Sequence, residues 1–234
     1  MAPLIETRDL RRHFGGLKAV DGVNFTLNAG EIHALIGPNG AGKTTFVSLL
    51  SGRRLPQSGS IHLEGADITN LPAHVRVRKG IAYTFQITSI FPRLTVFDNV
   101  ALAVQSHGTR DLPAKTRAAL ERVGLDGREE QEAQTLSYGH QRLLELAMGL
   151  ALQPRVLILD EPTQGLAAGE IDGFRDLVSS LVPATTVLLI EHNMEVVMDL
   201  ATRITVLNFG RVLATGTPAD IRANPAVQEA YLGA

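Results

Sequence analysis

The chain is expected to fold as an α/β protein, and two features of the sequence lead there. Segments 32–36, 156–159, 187–190 and 204–207 are short, continuously apolar and rich in β-branched residues, and each runs directly into a loop rich in Gly, Asp or Glu. Such runs suit a parallel sheet covered on both faces. Helical spacing of apolar residues lies between them, at Phe46, Val47, Leu49 and Leu50; at Leu143, Leu146, Ala147, Leu150 and Ala151; and at Ile171, Phe174, Leu177, Val178 and Leu181. Strand and helix therefore alternate.

The remaining segments modify this core. The first 30 residues and segment 60–64 alternate like half-exposed strands, which predicts an antiparallel part attached to the parallel sheet. From about Pro92 to Arg155 no strand pattern appears, so this stretch reads as an inserted α-helical subdomain, with the core resuming at Val156. The expected organisation is one domain over 1–234, with residues 1–91 and 156–234 forming the core and 92–155 the helical insertion. After Pro218 the pattern leaves two short helical pieces.

Composition removes several function classes. The 234 residues carry 22 Lys+Arg against 24 Asp+Glu, a net charge of −2, and 44% are hydrophobic. Neither a global basic excess for nucleic acid nor the polarity of a disordered chain is present. Cysteine is absent, which excludes a disulfide framework, thiolate zinc, an iron–sulfur cluster and a cysteine nucleophile. The N-terminal residues include Glu6 and Asp9 without a continuous apolar core, so a cytoplasmic location is expected. The longest apolar stretches, 146–152 and 187–190, are too short to span a bilayer, so a membrane role needs a partner.

Directly after segment 32–36 come Gly37, Pro38, Asn39, Gly40, Ala41, Gly42, Lys43, Thr44 and Thr45, which fit G-x-x-x-x-G-K-[ST] and open an apolar-periodic helix. In that context the pattern is a phosphate-binding loop. Its glycines let successive N–H groups point inward, the helix N-terminus adds positive dipole, and Lys43 adds a full charge for the β and γ phosphates. Thr44 offers a hydroxyl to Mg²⁺. The core accordingly resembles the P-loop NTPase (RecA-like) type, and that fold is expected.

Two further places carry chemistry. Segment 156–159 delivers Asp160 and Glu161 at the strand end where α/β sheets bind ligands. Asp160 is suited to hold Mg²⁺ through its water shell, and Glu161, expected on the opposite side of the strand, to polarise a water aimed at the γ-phosphate. Leu136, Ser137, Tyr138, Gly139, His140, Gln141 and Arg142 form a small turn that opens an amphipathic helix, a second anion site at a helix N-terminus. His13, His33, His62, His74, His107 and His140 show no metal spacing and are expected to be structural or solvated.

Taken together and in this order, Gly37 to Thr45, Leu136 to Arg142 and Val156 to Glu161 resemble the Walker A loop, signature and Walker B strand of the ATP-binding cassette family. Phe14 matches that family's adenine-stacking aromatic, Gln86 its glutamine loop and His192 its switch histidine. The resemblance implies an ATPase working as a head-to-tail dimer. ATP and Mg²⁺ would lie between the Walker A loop of one subunit and Ser137, Tyr138 and Gly139 of the other. The implied roles are catalytic for Glu161, His192, Lys43 and Gln86, and metal-binding for Thr44, Gln86 and Asp160. The apolar stretch after Gln86, with Ile87, Ile90, Phe91, Pro92, Leu94, Val96 and Phe97, matches the surface that grips a transmembrane permease, with Phe91 expected to be exposed because Pro92 breaks the chain there.

Within the family, the Leu136-Ser137-Tyr138-Gly139 signature, the segment from Glu191 to Met198 and the tail from Gly216 to Gly233 resemble the hydrophobic and branched-chain amino acid importers, a branch that includes urea and short-amide importers. That implies a homodimer or a heterodimer with a second cassette ATPase, permease subunits and, indirectly, an extracytoplasmic solute-binding protein. It also implies a peripheral position on the cytoplasmic face of the plasma membrane and no nucleic-acid partner. An exporter subunit, a soluble cassette acting on nucleic acid or ribosomes, and a nucleotide-gated scaffold are the competing readings. Two departures stand out: Ala167 replaces the family's usual Asp, implying altered coupling between sites, and His140 replaces the usual glutamine of the signature.

Overall fold

A computed structural model describes residues 3–84, 89–106, 108 and 111–232. The alternating N-terminal segment folds into a long antiparallel hairpin of β1 (Ile5–Phe14) and β2 (Leu17–Leu27), turning at Gly15, whose φ is 56°. All five residues of β3 (Ile32–Ile36) are buried, and the chain passes through the glycine-rich loop into α1 (Lys43–Leu50). Next, β4 (Ser58–Leu63) and β5 (Ala66–Asp67) extend the hairpin, so that among the described residues the first sheet runs β2-β1-β4-β5. Helix α2 (Ala73–Arg78) then leads into β6 (Ile81–Thr84).

Between β6 and the next strand the described residues form helices: α3 (Val96–Gln105), α4 (Leu112–Arg122), a 3-10 turn (Ala133–Thr135) and α5 (Tyr138–Ala151). The core then resumes with β7 (Val156–Asp160), α6 (Ala168–Leu181), β8 (Thr186–Ile190), α7 (Met194–Leu200) and β9 (Arg203–Asn208). An edge strand, β10 (Arg211–Gly216), and two short helices, α8 (Pro218–Ala223) and α9 (Pro225–Leu232), follow. The second sheet runs β10-β9-β3-β8-β7-β6, parallel except at β10.

Side chains alternate across the central strands and build the layers. Leu157 and Leu159, with Val187 and Leu189, face a core shared with Val100, Leu120, Leu144 and Phe174 of the helices. Ile158 and Leu188 face the other side, where Phe46 and Leu49 of α1 meet Leu27 and Ile61 of the antiparallel sheet. Each fully buried Leu or Ile contributes about 1.5–3 kcal/mol by leaving water. The α/β class, the antiparallel part and the two closing helices match the sequence reading. Three strands exceed it: the short β5 at the edge of the first sheet, and β6 and β10 at the two edges of the second.

Candidate nucleotide site

The glycine-rich loop takes its shape from close backbone packing. Gly42 adopts a φ of 103° at the start of α1, and a Cβ there would collide with the Ala19 carbonyl of β2; one at Gly37 would collide with the Leu207 carbonyl of β9. Gly42 places no side chain on the first amides of α1, so these N–H groups stay available to an anion. Lys43 is buried and folds its Nζ back to donate to the carbonyls of Gly37 at 2.6 Å and Pro38 at 3.1 Å. Burial pulls its pKa down, opposed by the charges of Glu161 and Asp160. Asn39, Gly40 and Thr44 are exposed, Pro38 and Thr45 half-buried, and Ala41 is held by Gly210 N–H donating to its carbonyl at 2.9 Å.

The carboxylates at the end of β7 differ in environment. Asp160 is buried, and burial raises its pKa; Tyr83 of β6 donates its hydroxyl to Asp160 Oδ2 at 2.6 Å and opposes that rise. Glu161 is not the next strand residue that alternation suggests. The strand ends at Asp160 and Glu161 turns into the left-handed region, with φ at 50°. Such a conformation is costly for a residue with a Cβ and persists only where neighbours fix it. Here Glu161 N–H donates to the Ile190 carbonyl at 2.8 Å, and its Oε1 meets His192 Nε2 at 2.6 Å.

The signature residues lie at the start of α5. Ser137 is the N-cap, accepting the His140 N–H at 3.3 Å, and its Oγ also meets His140 Nδ1 at 2.7 Å. His140 is therefore engaged with a proposed phosphate ligand, a role that its lack of metal spacing did not reveal. Tyr138 is 43% exposed, with the Arg142 guanidinium 5.3 Å from its ring centroid, and Gly139 packs tightly against the Glu170 carboxylate. Phe14, at the tip of the first hairpin, is 37% exposed, and the guanidiniums of Arg12 and Arg54 lie 5.1 and 5.3 Å from its centroid. Gln86 and Ile87 fall outside the described residues. Phe91 is 51% exposed, whereas Val96 is fully buried.

A family model described as ABC transporter matches residues 20–164, and a second, described as branched-chain amino acid ATP-binding cassette transporter, matches residues 211–234. The chain is 41% identical over 250 residues to the high-affinity branched-chain amino acid transport ATP-binding protein BraF of Pseudomonas aeruginosa, covering 99% of this chain and 98% of that one. The chain belongs to the ABC transporter family. The cassette is equally similar, at 41% over the same coverage, to LivG of Escherichia coli, named a protein of the same kind. Among solved structures it superposes on the ADP conformation of MJ1267, an ATP-binding cassette of an ABC transporter, with a TM-score of 0.89 and 27% identity over 100% of both chains. A nucleotide-free cassette from an ABC transporter matches with a TM-score of 0.86 and 26% identity, covering 99% of this chain and 100% of that one. The cassette is thus a nucleotide-binding ATPase of transport.

Two residues of the cassette that carry the site's geometry escaped sequence reasoning. Tyr83, the residue bonded to Asp160, stands out in sequence only as part of the stretch before Gln86. Glu191 is buried and accepts four hydrogen bonds: from the N–H of Thr163 at 2.9 Å and its hydroxyl at 2.5 Å, and from the N–H groups of His192 at 2.9 Å and Asn193 at 3.2 Å. It ties the loop after Asp160 and Glu161 to the turn that carries His192. The neighbours Glu191 and His192 are visible in the sequence, but the partner Thr163, 28 residues away, depends on β7 and β8 being neighbours.

Proposed function

We propose that the cassette is the ATP-hydrolysing subunit of an importer for branched-chain or other hydrophobic amino acids, docked peripherally through permease subunits on the cytoplasmic face of the plasma membrane. The observation that carries this reading is the 41% identity over 99% of the chain to proteins named for branched-chain amino acid transport. The match of residues 211–234 to a branched-chain cassette model supports it independently of the nucleotide motifs. Among the described residues no helix is long and apolar enough to cross a membrane, so transport requires separate permease subunits. The half-exposed surface around Phe91 is the proposed contact for them.

The donor chemistry suits Mg²⁺. Thr44 offers a hydroxyl and Asp160 a carboxylate, both hard oxygen donors, and Gln86 completes the proposed set. Among the described residues no cluster of three or more His, Asp or Glu side chains forms a metal cage. Magnesium characteristically takes one or two protein ligands and fills its shell with phosphate oxygens and water. Bound there, the ion would neutralise charge on the β and γ phosphates.

The chain's own groups divide the remaining work. The amides of Gly40 to Thr45 and the α1 dipole bind phosphate, and Lys43 exchanges its two loop carbonyls for phosphate oxygens. Glu161 accepts the proton of the attacking water, and His192 orients Glu161 through the contact between them and reaches the γ-phosphate. Phe14 is proposed to carry the adenine ring. Ser137, Tyr138 and Gly139 supply a second set of phosphate contacts to a partner cassette. One chain holds two phosphate-attracting helix starts but a single Walker lysine, so a head-to-tail pair uses both. Because phosphoryl transfer depends on positioning and electrostatics, completing the site only in the closed pair would couple hydrolysis to the motion of the permease.

Purification of the tagged cassette from its native membranes tests this reading. A polytopic permease encoded with a solute-binding protein for branched-chain amino acids is the expected companion. Recovery with ribosomes, or with a permease serving another solute, would replace it.

A further inference from the structure

The most exposed large apolar side chain among the described residues stands on the phosphate-loop edge of the second sheet. Strands β3, β7, β8 and β9 run parallel, so their last residues, Ile36, Asp160, Ile190 and Asn208, lie along one edge. Phe209 follows Asn208 in the β9–β10 turn and is 83% exposed. It lines a cleft of about 260 Å³ together with Pro38, Asn39, Gly40 and Ala41 of the phosphate loop. Its φ of 46° lies in the left-handed region, a costly place for a bulky side chain. The turn is clamped there, because Gly210 donates its N–H to the Ala41 carbonyl at 2.9 Å and accepts the Asp21 N–H at 2.8 Å. Exposed to this degree, the ring recovers neither the strain nor its hydration cost within its own chain.

A complementary surface lies beside the signature. A cleft of about 420 Å³ opens between the helical insertion and α6, with the half-buried Leu143, Leu166 and Leu177 in its walls and Gly139 and His140 of the signature among its lining. Gly173 of α6 lines it too, and a Cβ added there would meet nothing within 4 Å.

We infer that Phe209 of one copy seats in this cleft of a second copy when ATP closes the pair. The inference rests on the shared-site reading given above. A head-to-tail pair sets the phosphate loop of one copy against the signature of the other, and so brings together the surroundings of both. On one side that is an apolar ring beside Pro38 and Ala41; on the other it is an apolar cleft beside Gly139 and His140. Each copy carries one ring and one cleft, so two-fold symmetry repeats the contact and leaves neither unfilled. A ring on a clamped turn gives up little freedom on seating, and an aromatic anchor in a pocket is the kind of contact that dominates binding energy. The contact touches neither nucleotide nor reacting atoms. It therefore sets how tightly loaded copies hold each other, not how tightly each holds ATP.

Two substitutions in the full-length Glu161→Gln chain test this without endangering the fold. Phe209→Asn removes the ring and places a residue that tolerates the left-handed backbone there. Gly173→Leu fills the cleft and improves helix propensity. Both should leave the melting temperature of the nucleotide-free protein unchanged or higher, and the Kd of the monomer for Mg·ATP within about twofold. Each should nevertheless raise the dimer dissociation constant at saturating Mg·ATP about tenfold or more, the weight of one large apolar side chain losing its burial, and combining them should add little. The chain has no cysteine, so in a mixture of Phe209→Cys and Gly173→Cys copies a short bis-maleimide should join the two positions only when Mg·ATP is present. If the Glu161→Gln chain dimerises and either variant dimerises as well, or the two positions are not joined, the inference is overturned and the shared site stands. A Glu161→Gln chain that stays monomeric overturns both. Weaker pairing accompanied by a lower melting temperature marks general loosening and also overturns the inference.

Discussion

His192 Nε2 stands 2.6 Å from Glu161 Oε1, and each residue is fixed through the strand that precedes the histidine. Glu161 N–H donates to the Ile190 carbonyl, and His192 N–H donates to the Glu191 carboxylate. The pair is therefore held by β8 and its exit turn rather than by chance meeting of two surface side chains. Replacing Glu161 by Gln should lower ATP turnover by about 10²- to 10⁴-fold, the usual weight of a general base, while leaving nucleotide affinity within a few-fold. His192→Ala should move turnover in the same direction. Phosphate release at saturating Mg·ATP, alongside equilibrium binding, separates the two quantities.

Tyr83 donates to Asp160 from the neighbouring strand at 2.6 Å. A hydrogen bond to a charged group contributes about 1.5–3 kcal/mol, so Tyr83→Phe leaves a buried carboxylate less firmly oriented. The Mg²⁺ concentration giving half-maximal ATPase rate should rise about tenfold or more, with little change in metal-free nucleotide binding. A magnesium titration that superposes on the parent's would deny Tyr83 this role.

Arg76 is fully buried, and its guanidinium donates to four carbonyls, those of Leu49, Leu50, Thr69 and Leu71. Leu49 and Leu50 end α1, so Arg76 caps the helix that begins at Lys43. Burial lowers its pKa to about 10, still far above neutrality. Arg76→Ala should destabilise the fold by about 3 kcal/mol or more, because several buried acceptors lose their donor at once. Urea unfolding gives the number, and Arg76→Lys, with three donors, should fall between.

Glu31 supplies the acid-sensitive contribution. Burial would raise its pKa, but hydrogen bonds from the His33 ring, the Asn28 N–H and the Asn28 amide outweigh it, and the net shift is downward. A carboxyl whose folded pKa is depressed stabilises the fold fully above its unfolded value of 4.5 and loses that contribution as pH falls through the folded value. The stability difference between parent and Glu31→Gln should therefore be constant near neutrality and shrink below about pH 4. Denaturant unfolding across that range reads it; a difference that grows with acidification has the wrong sign.

What could be read from sequence was local. The residues 32–36 and 156–159 announced buried strands because every position is apolar, and the loop between Gly37 and Thr45 announced itself by spacing along the chain. Strand β6 was missed because Tyr83 and Thr84 make half of it polar, and β10 because it has neither a continuous apolar run nor a clean alternation and no position of it is fully buried. The N-cap at Ser137 was legible, but the bond to His140 required the helix geometry that brings the third residue back over the cap. Glu161 was misplaced because alternation was carried one residue past the strand's end, where the backbone turns left-handed. Tyr83 with Asp160 and Thr163 with Glu191 are pairs made by sheet order. No spacing rule contains them.

Whether ATP is held between the Lys43 loop of one copy and Ser137 of another is decided by the mass of the Glu161→Gln cassette in solution. With saturating Mg·ATP and turnover blocked, light scattering should report a dimer that returns to monomer when nucleotide is removed, and a further Ser137→Ala change should abolish it. A Glu161→Gln protein that binds Mg·ATP fully and stays monomeric at every concentration would contradict the shared site.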